Sequence, residues 1–301
     1  HFADRRTNRT KQEAGRRFEE VVIPVASVAE YFAHFRTLEL DFTFYRPLLD
    51  DGGDPTQTYY LLQKYARHLN AEDRLILKVP QAVFSQKLRR EKGFVENPDY
   101  LDPGFFEERF YGPAVSLLDP WLDGFVFEQA YQRVQDRLPA GKQADALDRF
   151  FSAIPDDERY HVELRTQGFL VKPVFEVLAA HGVGQVLSHW TWLPPLEKQF
   201  SMSGRRFLNR GRKSVIRLMT PRGMRYETAY TRAHPFDKRV DGMMSGDMVR
   251  DTAKIMKAAT ESEVDISVIV NNRAGGNAPL VAAEVAREFL ALQSARNLGG
   301  S

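Results

Sequence analysis

The chain has 301 residues, 43% of them hydrophobic and 12% aromatic, which is enough apolar material for one barrel-sized core. Its 42 Lys and Arg against 40 Asp and Glu leave a formal charge of +2, so nothing global demands a polyanionic partner. The absence of cysteine excludes disulfides, thiolate nucleophiles and cysteine-ligated zinc or iron–sulfur sites, while no apolar run reaches the roughly 20 residues that span a bilayer or stands where a signal peptide would, which predicts a soluble, cytoplasmic protein.

Residues 1–20 are polar, lack apolar periodicity and interleave Arg5, Arg6, Arg9, Lys11, Arg16 and Arg17 with acids. They are predicted as a basic, solvated arm, with a nucleic-acid-contacting tail as the alternative. Ser27 is placed to cap a helix whose inner face is Val28, Tyr31, Phe32 and Phe35. A strand follows over Leu38 to Tyr45, then a helix from Asp54-Pro55 with Tyr59, Leu62, Tyr65 and Leu69 on one stripe, then a strand from Arg74 to Pro80. A long loop from Gln81 to Leu101 precedes a helix start at Asp102-Pro103. Further strands are expected at Trp121 to Gln129, Tyr160 to Arg165, Gly184 to Trp190 and Ser214 to Met219, separated by helices at Gln143 to Phe151 and from Lys172-Pro173 to Gly182. A helix over Ser245 to Ala259 carries Met248, Thr252, Ile255 and Ala259 on one side.

The last unit reads as strand, glycine loop and helix. Asp265 to Val270 is apolar and β-branched enough to predict burial on both faces. Gly275-Gly276 turn the chain, and Asn277-Ala278-Pro279 start a helix spaced on Val281, Val285 and Phe289. Strands alternating with helices specify an α/β fold with a parallel sheet, best met by a TIM-like β/α barrel over residues 21–294 followed by a flexible tail at 295–301. Seven strands are expected and the first element is a helix, so the opening strand of a complete barrel is either lacking or outside this chain. An open doubly wound sheet is the alternative.

Charged residues on strands buried on both faces are costly unless they reach an open strand end. Here they fall late in their strands: Glu39, Asp41, Lys78, Glu128, Gln129, Glu163, Arg165, His189, Arg217, Asn271 and Asn272. Any one pair among them is as readily a structural ion pair as a functional one, whereas their convergence on one barrel end argues for a site. Lys78, Arg165 and Arg217 suit a carboxylate or phosphate. The turn with Gly275, Gly276 and Asn277 sets backbone N–H groups at a helix N-terminus, although Asn277 also fits a plain cap. Glu163 is the foremost candidate general acid or base, and His189 is a second catalytic candidate or a packed histidine. Glu39, Glu128, Glu163 and His189 are candidate ligands for a divalent metal, which no compact ligand spacing supports.

The segments LELDFTFYRP, RLILKVPQ, YHVELR, SVIRLM and VNNRAGGNAP, in this order, resemble the domain-of-unknown-function 72 family, also called YecE-like. The likeness covers about Val25 to Leu292 and implies a TIM-like barrel whose activity is not established. It places Glu39, Lys78, Glu163, Arg165, Arg217, Asn271 and Asn272 on the family's polar strand-end positions. The family's opening strand is missing, and Thr166, Met219 and Asp41 stand where the family has histidine, histidine and asparagine, so the chain reads as a divergent member.

Three functions remain. The first is an enzyme, an isomerase or hydrolase, that acts on a small anionic hydroxylated metabolite at the barrel mouth. The second is nucleic-acid binding or processing by the region from Arg205 to Arg232, where Phe207, Tyr226 and Tyr230 interleave with arginines. The third is a non-catalytic partner-binding barrel, whose charges would pair off among themselves.

Overall fold

The structure is a computed structural model describing residues 6–13, 16–21, 27–90 and 93–298. It divides into two compact units, Val25–Gln185 with Leu208–Gly211, and His1–Pro24 with Val186–Phe207 and Arg212–Ser301. Within the stretch read as a solvated arm, β1 (Arg6–Glu13) and β2 (Arg16–Val21) pair antiparallel. No apolar alternation marks this hairpin in the sequence, because ladder hydrogen bonds do not require a buried face.

The unit that begins at Val25 contains β3 (Thr37–Leu40), β4 (Arg74–Lys78), the hairpin of β5 (Lys87–Arg90) and β6 (Gly93–Glu96), β7 (Leu122–Glu128), β8 (Tyr160–Glu163) and the start of β9 (Gly184–His189). The strands β3, β4, β7 and β8 pair in parallel, each crossover carrying helix, and β8 continues onto β9 through His161↔Gly184 and Val162↔Gln185. Alternation along β7 divides its side chains. Phe125 and Phe127 join Phe106, Phe150 and Tyr160 in an aromatic core, with ring centroids 5.3 Å apart for Phe106–Phe127 and 5.5 Å for Phe127–Tyr160. The opposite face carries Val126 and Glu128, in register with His161 and Glu163 of β8, while Val126 is in register with Lys78 of β4.

The other unit holds the remainder of β9, then β10 (Lys213–Leu218) and β11 (Asp265–Val270), again parallel. Its core joins Leu187, Ile216 and Leu218 to Ile255, Val281 and Val285 from the helices Gly246–Glu261 and Ala278–Leu298. Met248, Thr252, Ile255 and Ala259 are buried on one side of the first of these helices, as the spacing predicts. The Ser245 side chain caps it by accepting the Met248 N–H at 3.2 Å. Asp102 caps its own helix by accepting the Phe105 N–H at 2.7 Å, whereas Ser27 stands at a helix start without a side-chain cap.

The seven parallel strands follow the order β11-β10-β9-β8-β7-β4-β3, which with helical crossovers is the topology of a TIM-like β/α barrel. Among the described residues no eighth strand joins this sheet, and β3 and β11 end the order. Three expectations need correction. The strand read from Leu38 to Tyr45 stops at Leu40, after which Asp41–Phe44 forms a 3-10 turn held by the Thr43 hydroxyl, 2.9 Å from the Leu40 carbonyl and 2.7 Å from that of Lys78. The loop from Gln81 to Leu101 contains a helical turn at Gln81–Phe84 and the β5–β6 hairpin. Residues Ile266 to Val270 of β11 are only partly buried, because the strand is partnered on one side and covered less than a central strand.

Candidate functional site

In the unit that begins at Val25, the carboxyl ends of successive strands assemble one chain of ion pairs. The turn after β3 brings Asp41 to Lys78 at the end of β4, with Nζ 2.6 Å from Asp41 Oδ1. The same Nζ lies 2.6 Å from Glu128 Oε2 at the end of β7, and over the Phe44 ring at 4.0 Å. The other oxygen of Glu128, Oε1, meets Arg165 Nη1 at 2.8 Å, just past the end of β8. Arg165 Nε in turn stands 3.3 Å from Glu163 Oε1, an ion pair without hydrogen-bond alignment. Glu128 is therefore the centre of the network, with one oxygen for each cation. Sequence reasoning placed it among the late strand charges but centred the site elsewhere, since the register of β7 against both β4 and β8 decides which carboxylate stands between Lys78 and Arg165.

Burial differs between the two ends of this chain. Glu163 is 0% exposed and Lys78 and Glu128 are buried, whereas the Asp41 side chain is 59% exposed. Asp41 is thus the outer, hydrated end, and its pair with Lys78 is the weakest link because water competes for the carboxylate. Gln129, next to Glu128, is 2% exposed, and both atoms of its side-chain amide lack a hydrogen-bond partner among the described residues. Buried amides are seldom left in this state, so Gln129 marks a position suited to a polar ligand group. Below the network, His161 shares the face of Glu163 and its Nδ1 lies 3.0 Å from the Arg159 carbonyl. A Cβ at Gly184 would come within 2.3 Å of the His161 ring, so the glycine permits this packing. Glu39 is half-buried on β3, and the Tyr31 hydroxyl is pushed up to about 12, first by burial and then by the Glu39 charge.

The remaining predicted site residues lie in the other unit. Arg217 is wholly buried on β10, facing the same way as Ser188 of β9. His189 ends β9, and burial first, then the Arg222 charge, lower its pKa to about 4. The asparagines serve the backbone: Asn271 accepts the Arg273 N–H at 3.0 Å, Asn272 the Ala278 N–H at 2.8 Å, and Asn277 the Leu280 N–H at 3.1 Å. Asn277 thus acts as the helix cap that its position allowed, and the N–H groups of Gly275 and Gly276, which donate to the Asn272 carbonyl, and of Ala278 and Leu280 already have protein acceptors. Gly276 has φ +99, and a Cβ there would fall 2.4 Å from the Lys238 carbonyl, so the Gly275-Gly276 turn lets residues 238–240 approach closely.

Among the described residues, no group of three or more His, Asp or Glu is arranged to hold a metal ion. Several arginines of the basic region have local partners: Arg205 pairs with Glu197, Arg210 with Asp156 and Arg212 with Glu263, while Arg206 and Arg232 donate to the carbonyls of Ser203 and Asp241. Phe207 packs on Phe200 at 4.9 Å. No helix of the described residues is long and apolar enough to cross a membrane.

A family model described as "Protein of unknown function DUF72" matches residues 11–297. The chain belongs to the DUF72 family. Among solved structures it is similar to a DUF72 protein of Enterococcus faecalis V583, at 13% identity and TM-score 0.58, with 87% of each chain covered. A second crystal structure described as that Enterococcus protein gives 15% identity and TM-score 0.53, over 87% of this chain and 92% of that one. A DUF72 protein of Thermotoga maritima MSB8 gives 16% and 0.55, over 90% of this chain and 91% of that one. No curated protein matches. At these identities the DUF72 structures carry the fold alone.

Proposed function

We propose that this DUF72 protein is an acid/base enzyme, an isomerase or hydrolase, that binds a small hydroxylated metabolite carrying a phosphate or carboxylate at the carboxyl ends of β4, β7 and β8. The observation that carries the reading is the unbroken run Asp41–Lys78–Glu128–Arg165–Glu163, with a hydrated carboxylate at one end and one with no exposure at the other. Burying Lys78, Glu128 and Glu163 at strand ends costs solvation that an apolar cluster would not, which favours a chemical use. The ligand's anionic group takes the place of Asp41 on Lys78. Asp41 returns to water at little cost, and Lys78 keeps Glu128. Arg165 and Gln129 orient hydroxyl groups, and Glu163 moves a proton to or from the reacting carbon or oxygen.

The test is a thermal-shift screen of sugar phosphates and sugar acids, followed by turnover assays on the compounds that bind. Lys78→Met should abolish the shift and Asp41→Asn should tighten binding. Glu163→Gln should keep binding and lower turnover by roughly a hundredfold or more, the usual share of one general acid or base. Unchanged turnover in Glu163→Gln sinks the acid/base role. A screen with no Lys78-dependent ligand leaves the non-catalytic reading, in which these charges only satisfy one another.

A further inference from the structure

A second cluster of buried polar groups lies in the other unit, at the ends of β9 and β10, and the network above does not use it. His189 is 3% exposed and Thr220 1% exposed, and neither His189 Nδ1 nor Thr220 Oγ1 makes an aligned hydrogen bond among the described residues, although the backbone of Thr220 and of His189 itself lies close enough to act on the imidazole. The two residues adjoin: the His189 carbonyl accepts the N–H of Met219 at 3.1 Å and of Thr220 at 3.3 Å. β9 and β10 are in register at His189↔Leu218, and Thr220 follows two residues past the end of β10. Two adjacent side chains buried with open hydrogen-bonding capacity are costly to a fold, and native proteins keep such groups where a ligand or bound water completes them.

We infer that His189 Nδ1 and Thr220 Oγ1 form a binding site for an oxyanion, a carboxylate or phosphate group, with Arg222 at its rim. Three features set the sign of the ligand. The threonine hydroxyl donates as readily as it accepts. The imidazole is kept neutral at physiological pH by burial and by the positive charge of Arg222, so one ring nitrogen carries a proton and, in the tautomer protonated at Nδ1, offers it to an acceptor. Arg222, exposed and two residues beyond Thr220, attracts an anion to the entrance. The carboxylate that also acts on His189, Asp247, is held by Arg250 at 2.5 Å, which weakens its repulsion of an incoming anion. This site stands on one unit only and does not depend on the role of Glu163.

The experiment is an NMR titration of the full chain carrying 13C-labelled histidine, with inorganic phosphate and, separately, acetate added at constant pH and ionic strength. The wild type should show a saturable shift of the His189 ring signal with at least one of the two. Phosphate alone or acetate alone assigns the anion. Thr220→Val should weaken the response about tenfold or more, Thr220→Ser should restore it, and the exposed Arg222→Gln should weaken it without disturbing the fold. The inference is overturned if neither anion moves the His189 signal, if the shift is non-saturating and follows ionic strength alone, as for an adventitious ion only, or if Thr220→Val and Thr220→Ser bind alike.

Discussion

Acidification should destabilise this protein through His189, beginning as the pH falls below 6.5. In the folded chain the imidazole titrates near pH 4, against 6.5 for the free side chain, because burial and then Arg222 disfavour its charged form. On lowering the pH the unfolded chain therefore takes up its proton first, and the stability attached to neutral His189 is intact above pH 6.5 and is lost as the pH falls toward 4. With those two values, linkage gives a loss of about 1 kcal/mol at pH 6, about 2 kcal/mol at pH 5 and about 3 kcal/mol at pH 4. Urea unfolding of the wild type and of His189→Gln, at pH 8, 6 and 5, isolates the group, since other titrations are common to both proteins. The advantage of the wild type over the variant should shrink by about 2 kcal/mol between pH 8 and pH 5. Asp157 acts in a lower window: burial raises its pKa, but hydrogen bonds and charge from Arg159 outweigh this and hold it below 3.8, so its contribution is present above that value and lost beneath it. A difference between wild type and variant that does not vary with pH would refute the assignment of a buried, neutral histidine.

Two further outcomes follow from the packing. Glu128→Ala leaves Lys78 and Arg165 buried without their shared carboxylate, and should cost about 3–5 kcal/mol, read as a lowered urea midpoint with unchanged slope. Gly276→Ala places a methyl against the Lys238 carbonyl in a left-handed backbone conformation, and should cost at least about 1–2 kcal/mol by the same measurement, whereas Gly53→Ala, also at positive φ but with open space around it, should cost less.

Much of the architecture is legible along the chain. Apolar strands such as Arg74–Lys78 and Gly184–His189 announce themselves by composition, and the helix starts at Asp102 and Ser245 by their caps. Both signals are local, set by which side chains a buried strand tolerates and which oxygens can accept an orphan N–H. Boundaries failed where a distant residue decides them. Thr43 ends β3 by bonding to the carbonyl of Lys78, a partner from another strand, and β11 reads as a central strand although only tertiary pairing makes it an end.

For the site, the sequence by itself determined that ionisable side chains cluster at strand ends, because alternation and burial leave them nowhere else to be solvated. Only the tertiary structure decided their partners. Glu128 stands between Lys78 and Arg165 because β7 lies between β4 and β8, an order that the chain's own succession of elements does not state, and ion pairs act over a few ångströms in space whatever the separation in sequence. The same holds for Asn271, Asn272 and Asn277, whose residue type fits a ligand site as well as a cap until the backbone N–H groups they accept are seen.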